Sequence, residues 1–202
     1  MNKAIAQLVC DLRNEDCHIR FAAARILGEM GAGNSDACNA LIEALKDTTW
    51  FVRLAALQSL KELKVEPPII FEKIVPMLKD EHEDVREYAA LTISDLGPEA
   101  APAAPFLMEA LSDPVWYVRG TVAWVLGQIG PGARNASDCL INSLTDDEME
   151  VRISAARALG LVCGIGDKEV IAALEEVMSN DGQPLEVKEK AREALVKIKN
   201  LG

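Results

Sequence analysis

Several patterns are missing from this 202-residue sequence, and each absence argues against a class of function. Lysine and arginine (21) are outnumbered by aspartate and glutamate (32), so the formal net charge is −11. Nucleic acids and anionic membranes are bound through lysine and arginine, so this balance argues against both and permits a basic partner. The two histidines, His18 and His82, lie far apart, and no nucleophile motif, glycine-rich phosphate loop or carboxylate pair stands out. We therefore expect no catalytic residue, metal site or cofactor.

Long apolar runs and paired cysteines are also missing. The N-terminus has no apolar signal segment, and no stretch reaches the length of a membrane span. The cysteines are odd in number and scattered, without Cys-x-x-Cys spacing (Cys10, Cys17, Cys38, Cys139, Cys163). This usage predicts free thiols in a reducing compartment, and we expect a cytoplasmic protein. Cys17-His18 alone is weak evidence for a metal site.

A 33-residue repeat runs along most of the chain. Its markers are five arginines, each after a β-branched residue and each six positions after a short polar residue: Arg20, Arg53, Arg86, Arg119 and Arg152, with Asn14, Asp47, Asp80, Asp113 and Asp146. A fixed period in this range predicts a solenoid. Apolar spacing predicts two helices per unit, A and B, with glycine and proline between units.

Six such units are predicted within one repeat domain, 1–202, at approximately 2–31, 35–64, 67–97, 101–130, 134–163 and 167–200. The first unit begins without a preceding cap helix. The sixth is irregular: it has a three-residue insertion, Lys188 in place of arginine, and a heavily charged second helix. A polar last unit is typical of the end of a solenoid.

The pattern Asp-x-x-x-x-Val-Arg, followed by Ala-Ala and Leu-Gly, resembles the HEAT-repeat family. It is most similar to the short HEAT-like repeats first named from phycobilisome lyases. The resemblance implies an all-α fold, an α-solenoid of six helix pairs, twelve helices in all. It also implies that the Asp and Arg columns form an internal ladder, which is a structural role, and that helix B lines the concave side.

The helical period divides helix B into a core face and a free face. Counted from the arginine, positions −1, +3, +6, +7 and +10 are predicted to form the core. In the fourth and first units these are Val118, Val122, Val125, Leu126 and Ile129, and Ile19, Ala23, Ile26, Leu27 and Met30. Leu126 and its equivalent Leu159 are predicted to be buried. Positions −3, −2, +1, +2, +5 and +9 are predicted to be free.

Seven of the nine aromatic residues fall on this predicted free face. Because tryptophan, tyrosine and phenylalanine dominate interface energetics, the face is a candidate binding groove. The predicted partner-binding residues are Trp50, Phe51, Leu54, Asp84, Glu87, Tyr88, Leu91, Trp116, Tyr117 and Trp124. Acidic residues of the third unit favour a basic ligand with apolar anchors. Alternatively, Trp50 and Trp116 fill the seams between neighbouring units.

Two functions remain open at this point. One is a non-enzymatic scaffold or adaptor that binds a protein or peptide in the concave aromatic groove. The other is a bilin lyase or a bilin-binding accessory protein, which the phycobilisome-lyase resemblance suggests and for which an aromatic groove could hold a linear tetrapyrrole. Fold analogy by itself carries little weight for function.

Overall fold

The computed structural model describes residues 3–164 and 166–200, and these residues form helices and no strand. The elements are α1 (Lys3–Asp11), α2 (Cys17–Met30), α3 (Ser35–Ala44), α4 (Trp50–Glu62), α5 (Pro67–Ile69), α6 (Glu83–Ser94), α7 (Ala104–Ala110), α8 (Trp116–Ile129), α9 (Ser137–Ser143), α10 (Met149–Val162), α11 (Lys168–Ser179) and α12 (Leu185–Asn200). The predicted all-α solenoid of helix pairs is confirmed. Eleven of these α-helices contain seven or more residues within the described ranges.

The one remaining helix of the twelve that were predicted is the short, irregular α5. It continues as a π-helical turn over Ile70–Ile74 and a 3-10 turn over Val75–Lys79. Pro76 has no backbone N–H and cannot donate the helical i to i−4 hydrogen bond, which accounts for the change of helix type there. Similar 3-10 turns, Gly97–Ala103 and Gly130–Ala136, precede α7 and α9.

The chain divides into two compact units, one ending at Thr92 and the other beginning at Ile93. In the first, α1 packs against α2, α3 against α4, and the two B helices α2 and α4 against each other. In the second, α7 packs on α8, α9 on α10 and α11 on α12, while the B helices α8, α10 and α12 lie side by side. Within each unit, the stack of B helices is held by small residues. The Ser59 hydroxyl donates to the Ala24 carbonyl at 2.9 Å across the α2–α4 contact.

The aspartate column turns the chain from helix A into helix B. In four repeats the carboxylate accepts a hydrogen bond from the backbone N–H two residues later: Asp47 from Thr49 at 2.8 Å, Asp80 from His82 at 2.9 Å, Asp113 from Val115 at 2.9 Å and Asp146 from Glu148 at 3.0 Å. Asn14 does the same for Asp16 at 2.9 Å. Such a local side-chain bond replaces a backbone turn, which is why a short polar residue recurs here.

The same carboxylates receive the arginine of the preceding repeat, as the predicted ladder requires. Arg20 contacts Asp47 through two hydrogen bonds of 2.6 and 2.9 Å. Equivalent forked pairs join Arg53 to Asp80 at 2.8 and 2.7 Å, and Arg119 to Asp146 at 2.7 and 2.8 Å. The Arg119 guanidinium holds the pKa of Asp146 below its usual value against the opposing effect of burial. The ladder is confirmed at these three rungs as a structural device.

The predicted core register is confirmed in the fourth repeat and partly wrong in the first. Val118, Val122, Val125, Leu126 and Ile129 are all fully buried, as is Leu159. In the first repeat Ala23 and Leu27 are buried, but Ile19, Ile26 and Met30 are exposed by 41, 38 and 48%. These three lie on the side of α2 away from α4, where no described residue covers them.

Candidate functional site

The candidate site is the helix-B surface, meaning the predicted free-face positions of the B helices. At +9 the residues are exposed in all five regular repeats: Glu29, Glu62, Asp95, Gln128 and Leu161. At +1 and +2 the prediction is wrong for Ala55, Gly120 and Ile153, which are buried. Neighbouring B helices lie close at these positions: a Cβ on Gly120 would be 3.8 Å from a Val151 methyl carbon.

In the first unit, aromatic rings cluster at the start of the B helices. The Trp50 indole lies parallel to the His82 ring, with centroids 3.8 Å apart and planes 6° apart, and perpendicular to Phe51 at 5.7 Å. Phe51 in turn stacks with His18 at 5.7 Å and meets the edge of Phe21 at 5.8 Å. We call these five residues the aromatic row. It joins three successive repeats of this unit, and Trp50 remains 36% exposed.

Three members of the aromatic row, His18, Phe21 and His82, were not among the predicted partner-binding residues, although Phe21 was one of the aromatic residues on the predicted free face. His82 lies in the turn before α6, and its Nδ1 accepts a 3.3 Å hydrogen bond from the Asp84 backbone N–H. His18 occupies the −2 position that holds Phe51 in the next repeat, which is the one sequence signal that pointed to it. The stack of Trp50 on His82 supports the seam interpretation for one face of the indole, while the exposed part remains available.

The other residues of this unit that were predicted to bind a partner have mixed chemistry. Leu54, Tyr88 and Leu91 are half-buried, as are Asp84 and Glu87. The Leu91 carbonyl accepts a 3.0 Å hydrogen bond from Lys61, so its backbone is already engaged. Segment 80–87 contains five carboxylates and one arginine. Arg53 contacts both Asp80 and Glu81, yet the Glu81 side chain is 79% exposed, so negative charge remains beside the row.

In the second unit the site consists of residues on α8. Trp116 and Tyr117 meet edge to face, with centroids 5.8 Å apart and planes 88° apart. Trp116 is 43% exposed and Trp124, two turns further along, is 40% exposed. Tyr117 is half-buried. The helical angles also predict that Tyr88, Leu91, Tyr117 and Trp124 form one patch with Trp116 at its edge. These residues belong to both compact units, and the patch stays a prediction.

Thiol and metal chemistry have limited support on the described surface. Burial raises the pKa of Cys163 to about 11 and also raises that of Cys38, which makes both thiols poor nucleophiles at neutral pH. Ligand atoms of Asp16, Cys17 and His18 lie within 4.8 Å of one another. However, Asp16 already accepts the His18 backbone N–H at 2.8 Å, and the positive end of α2 at this point disfavours a cation. All five cysteines are free.

Comparisons with known proteins support the helical repeat architecture. A family model described as HEAT repeats matches residues 2–69, 71–147 and 104–196. The search of curated proteins found no match. These results do not separate phycobilisome-lyase repeats from other repeats of the family, so that closer resemblance stays a prediction.

Solved structures resemble this chain along its whole length at low sequence identity. An engineered protein is 24% identical with a TM-score of 0.71, and the match covers 100% of this chain and 98% of that one. A computationally designed armadillo repeat protein for modular peptide recognition is 20% identical, with a TM-score of 0.66 and coverages of 96 and 99%. The archaeal HEAT-like repeats protein of Thermococcus onnurineus NA1 is 16% identical, with a TM-score of 0.65 and coverages of 100 and 89%. At these identities the likeness shows the fold.

The described residues include no helix with the length and apolar character that crossing a membrane requires.

Proposed function

Since this chain belongs to the HEAT-repeat family, we propose that it is a non-enzymatic interaction module that binds a basic protein segment with apolar anchors on its helix-B surface. Repeat solenoids of this kind typically serve as protein-interaction scaffolds, because stacked units present an extended surface of regularly spaced side chains. The similar designed armadillo protein is described as one for peptide recognition, which agrees with this use of the fold.

One observation carries the proposal. All three tryptophans of the chain lie on B helices, and each keeps 36–43% of its surface exposed. Folded proteins bury most of their tryptophan surface, and tryptophan is enriched among the residues that dominate binding energy. The exposed indoles on the B helices of each compact unit therefore favour a ligand that covers them.

The charge of the surroundings favours a basic ligand. Within the first unit, the carboxylates of segment 80–87 lie beside the Trp50–His82 stack. A lysine or arginine of a bound segment would find both a carboxylate and an aromatic face there, which is a favourable setting for an ion pair and for a cation–π contact. The chain as a whole carries a net charge of −11, which speeds the approach of a basic partner.

The binding test uses a fluorescent peptide that alternates leucine with arginine, and a control peptide in which glutamate replaces arginine. We expect the arginine peptide to bind and the glutamate peptide to fail. Trp50→Ala and Trp124→Ala should each weaken binding about 30-fold, which corresponds to a loss of about 2 kcal/mol for an aromatic anchor. The matched control is Phe106→Ala on α7, because Phe106 is 46% exposed but belongs to an A helix.

Thermal unfolding of the same variants separates binding from seam packing. If the indoles are anchors, Trp124→Ala should unfold close to the wild-type temperature. A large fall in its melting temperature together with unchanged peptide affinity would mean that Trp124 packs the seam. Equal binding of both peptides would refute the basic ligand. Binding of a linear tetrapyrrole, with the arginine peptide rejected, would favour the bilin alternative.

A further inference from the structure

The ladder of arginine and aspartate side chains changes at the turn between α10 and α12. Arg119 donates from Nε and Nη2 to the two carboxylate oxygens of Asp146 at 2.7 and 2.8 Å. Arg152 is the next arginine of the column, but the position six residues before Lys188, which corresponds to the aspartate, holds Gly182. Glycine has no side-chain acceptor, so the aspartate column offers Arg152 no carboxylate.

Arg152 is nevertheless held in the same pose as Arg119. Its Nη1 donates to the backbone carbonyls of Asp146 and Asp147 at 2.6 and 2.9 Å, as Nη1 of Arg119 does to two carbonyls one repeat earlier. These bonds fix the guanidinium plane, and the equivalent pose directs the edge formed by Nε and Nη2 towards the turn before α12. Among the described residues, Nε of Arg152 is buried and has no hydrogen-bond partner. Arg152 as a whole is half-buried, so the guanidinium is not sealed from solvent.

The turn before α12 contains a second buried polar atom of this kind. Oε1 of Gln183 is buried and accepts no hydrogen bond from the described residues. In the third repeat the same position holds Glu81, whose carboxylate lies 3.0 Å from Nη2 of Arg53. Oδ1 of Asp80 lies 2.7 Å from that same nitrogen, so side chains at these two positions end next to each other. By its place in the repeat, Gln183 therefore borders the place at which a carboxylate would meet Arg152.

The three-residue insertion accounts for the change in this turn. Oδ1 of Asn180 accepts a hydrogen bond from the backbone N–H of Gly182 at 2.9 Å, which is the local bond that aspartate makes in four earlier turns. The residue that forms the turn thus lies eight positions before Lys188 instead of six. Asp181 does not take over the ladder role, because its side chain is fully exposed and its Oδ1 lies 3.9 Å from Nζ of Lys188.

We propose that Arg152 and Gln183 form a binding site for a small 2-hydroxycarboxylate. The carboxylate accepts two parallel hydrogen bonds from Nε and Nη2 of Arg152, as Asp146 does from Arg119, and the planar guanidinium is suited to this contact. The adjacent hydroxyl donates to Oε1 of Gln183. Because an unpaired buried polar atom costs free energy, a ligand that pairs with both residues binds better than one that pairs with Arg152 alone.

The surrounding charges favour a hydroxy acid over an amino acid. Asp146 lies between Arg119, which donates to its carboxylate, and Arg152, which donates to its backbone carbonyl. The repeat therefore places the ligand between Arg152 and Lys188. An ammonium group on the ligand would bring a third positive charge beside these two, whereas a hydroxyl group adds none. The carboxylate of Asp181 is fully exposed, so water screens its charge.

The binding test titrates the wild-type chain with glycolate, the smallest 2-hydroxycarboxylate, and follows the Nε–H signals of arginine by nitrogen–proton NMR. We expect the Arg152 signal to shift with a Kd of about 1 mM. At about 10 mM, glycolate should raise the unfolding temperature by about 3–6 °C. Acetate lacks the hydroxyl group and should bind severalfold more weakly, and chloride at equal ionic strength should leave the signal in place.

Two variants locate the site. Gln183→Glu supplies a carboxylate from the chain itself, at the position from which Glu81 contacts Arg53. Without ligand it should unfold at a higher temperature than the wild type, and it should bind glycolate at least tenfold more weakly. Arg152→Lys keeps the charge but loses the fork, and it should also weaken binding at least tenfold. The matched control is Arg157→Gln, because Arg157 is exposed on α10 outside the ladder, and it should bind like the wild type.

Several results would overturn the proposal. An Arg152 signal that does not respond to glycolate would mean that water alone meets this guanidinium. Equal responses to glycolate and chloride would mean an adventitious ion only, and equal binding of acetate and glycolate would refute the hydroxyl contact. Undiminished binding by Gln183→Glu would place the ligand elsewhere; this variant decides the matter if circular dichroism shows that Arg152→Lys does not fold. None of these results involves the arginine peptide, so the proposed interaction function is tested separately.

Discussion

The close contact between α10 and α12 depends on Gly160, and replacing it by alanine tests the stacking geometry. A Cβ at this position would lie 2.7 Å from Cα and 2.8 Å from Cβ of Ala194. One of these atoms belongs to the backbone, so α12 as a whole must shift. Gly160→Ala should therefore loosen this seam despite the better helix propensity of alanine.

The magnitude follows from two opposing effects. Overpacking a filled interior costs about 1–3 kcal/mol, and alanine gains up to about 1 kcal/mol over glycine inside a helix. Because the obstructing atom is backbone, we expect a net loss of about 1–2 kcal/mol in the free energy of unfolding. The matched control is Gly120→Ala on α8, where the nearest atoms would be 3.8 and 3.9 Å away, an ordinary contact distance. This variant should be more stable than the wild type by about 0.5–1 kcal/mol.

Urea denaturation followed by far-ultraviolet circular dichroism measures both variants. Gly127→Ala should fall between them, because its Cβ would lie 3.1 Å from the Ala158 Cα. The order of stability is expected to be Gly120→Ala, wild type, Gly127→Ala, Gly160→Ala. If Gly160→Ala proves as stable as Gly120→Ala, helix propensity outweighs packing here and the described approach of α10 and α12 is wrong.

Two further predictions concern the core and the ladder. Leu126 is fully buried, so Leu126→Ala should lower the free energy of unfolding by about 2–5 kcal/mol. A loss below about 0.5 kcal/mol in urea denaturation would contradict the helical register. The hydrogen bond from Arg119 is the main reason why the pKa of Asp146 is lowered in the folded protein. The contribution of Asp146 to stability is therefore present above its unfolded pKa of about 3.9, and it is lost as the pH falls through its folded pKa. When the pH is lowered from about 5 to about 2, the Asp146→Asn variant should therefore lose less stability than the wild type loses. Equal falls in the urea midpoint of the two proteins would rule out this linkage.

The sequence by itself determined the repeat, the helix pairs and the ladder. The 33-residue period and the 3.6-residue spacing of apolar side chains are properties of the chain, and each repeat makes nearly the same local contacts. The aspartate and arginine columns are visible in the sequence, and the HEAT-repeat resemblance implied that they form the ladder to which Arg119 and Asp146 belong. The buried positions of Leu126 and Leu159 follow from the same regularity.

Only the tertiary structure decided which equivalent positions are covered. Ile26 and Ala158 occupy the same position in their repeats, yet one is exposed and the other buried, because burial depends on what lies alongside the helix. The stack of Trp50 on His82 joins residues of neighbouring repeats whose ring planes no periodicity specifies. Gly120 was assigned to the free face by its angle on the helix, but the neighbouring B helix covers it. A helical wheel describes one helix, whereas the exposure of a side chain at the candidate site is set by the distance between two neighbouring helices.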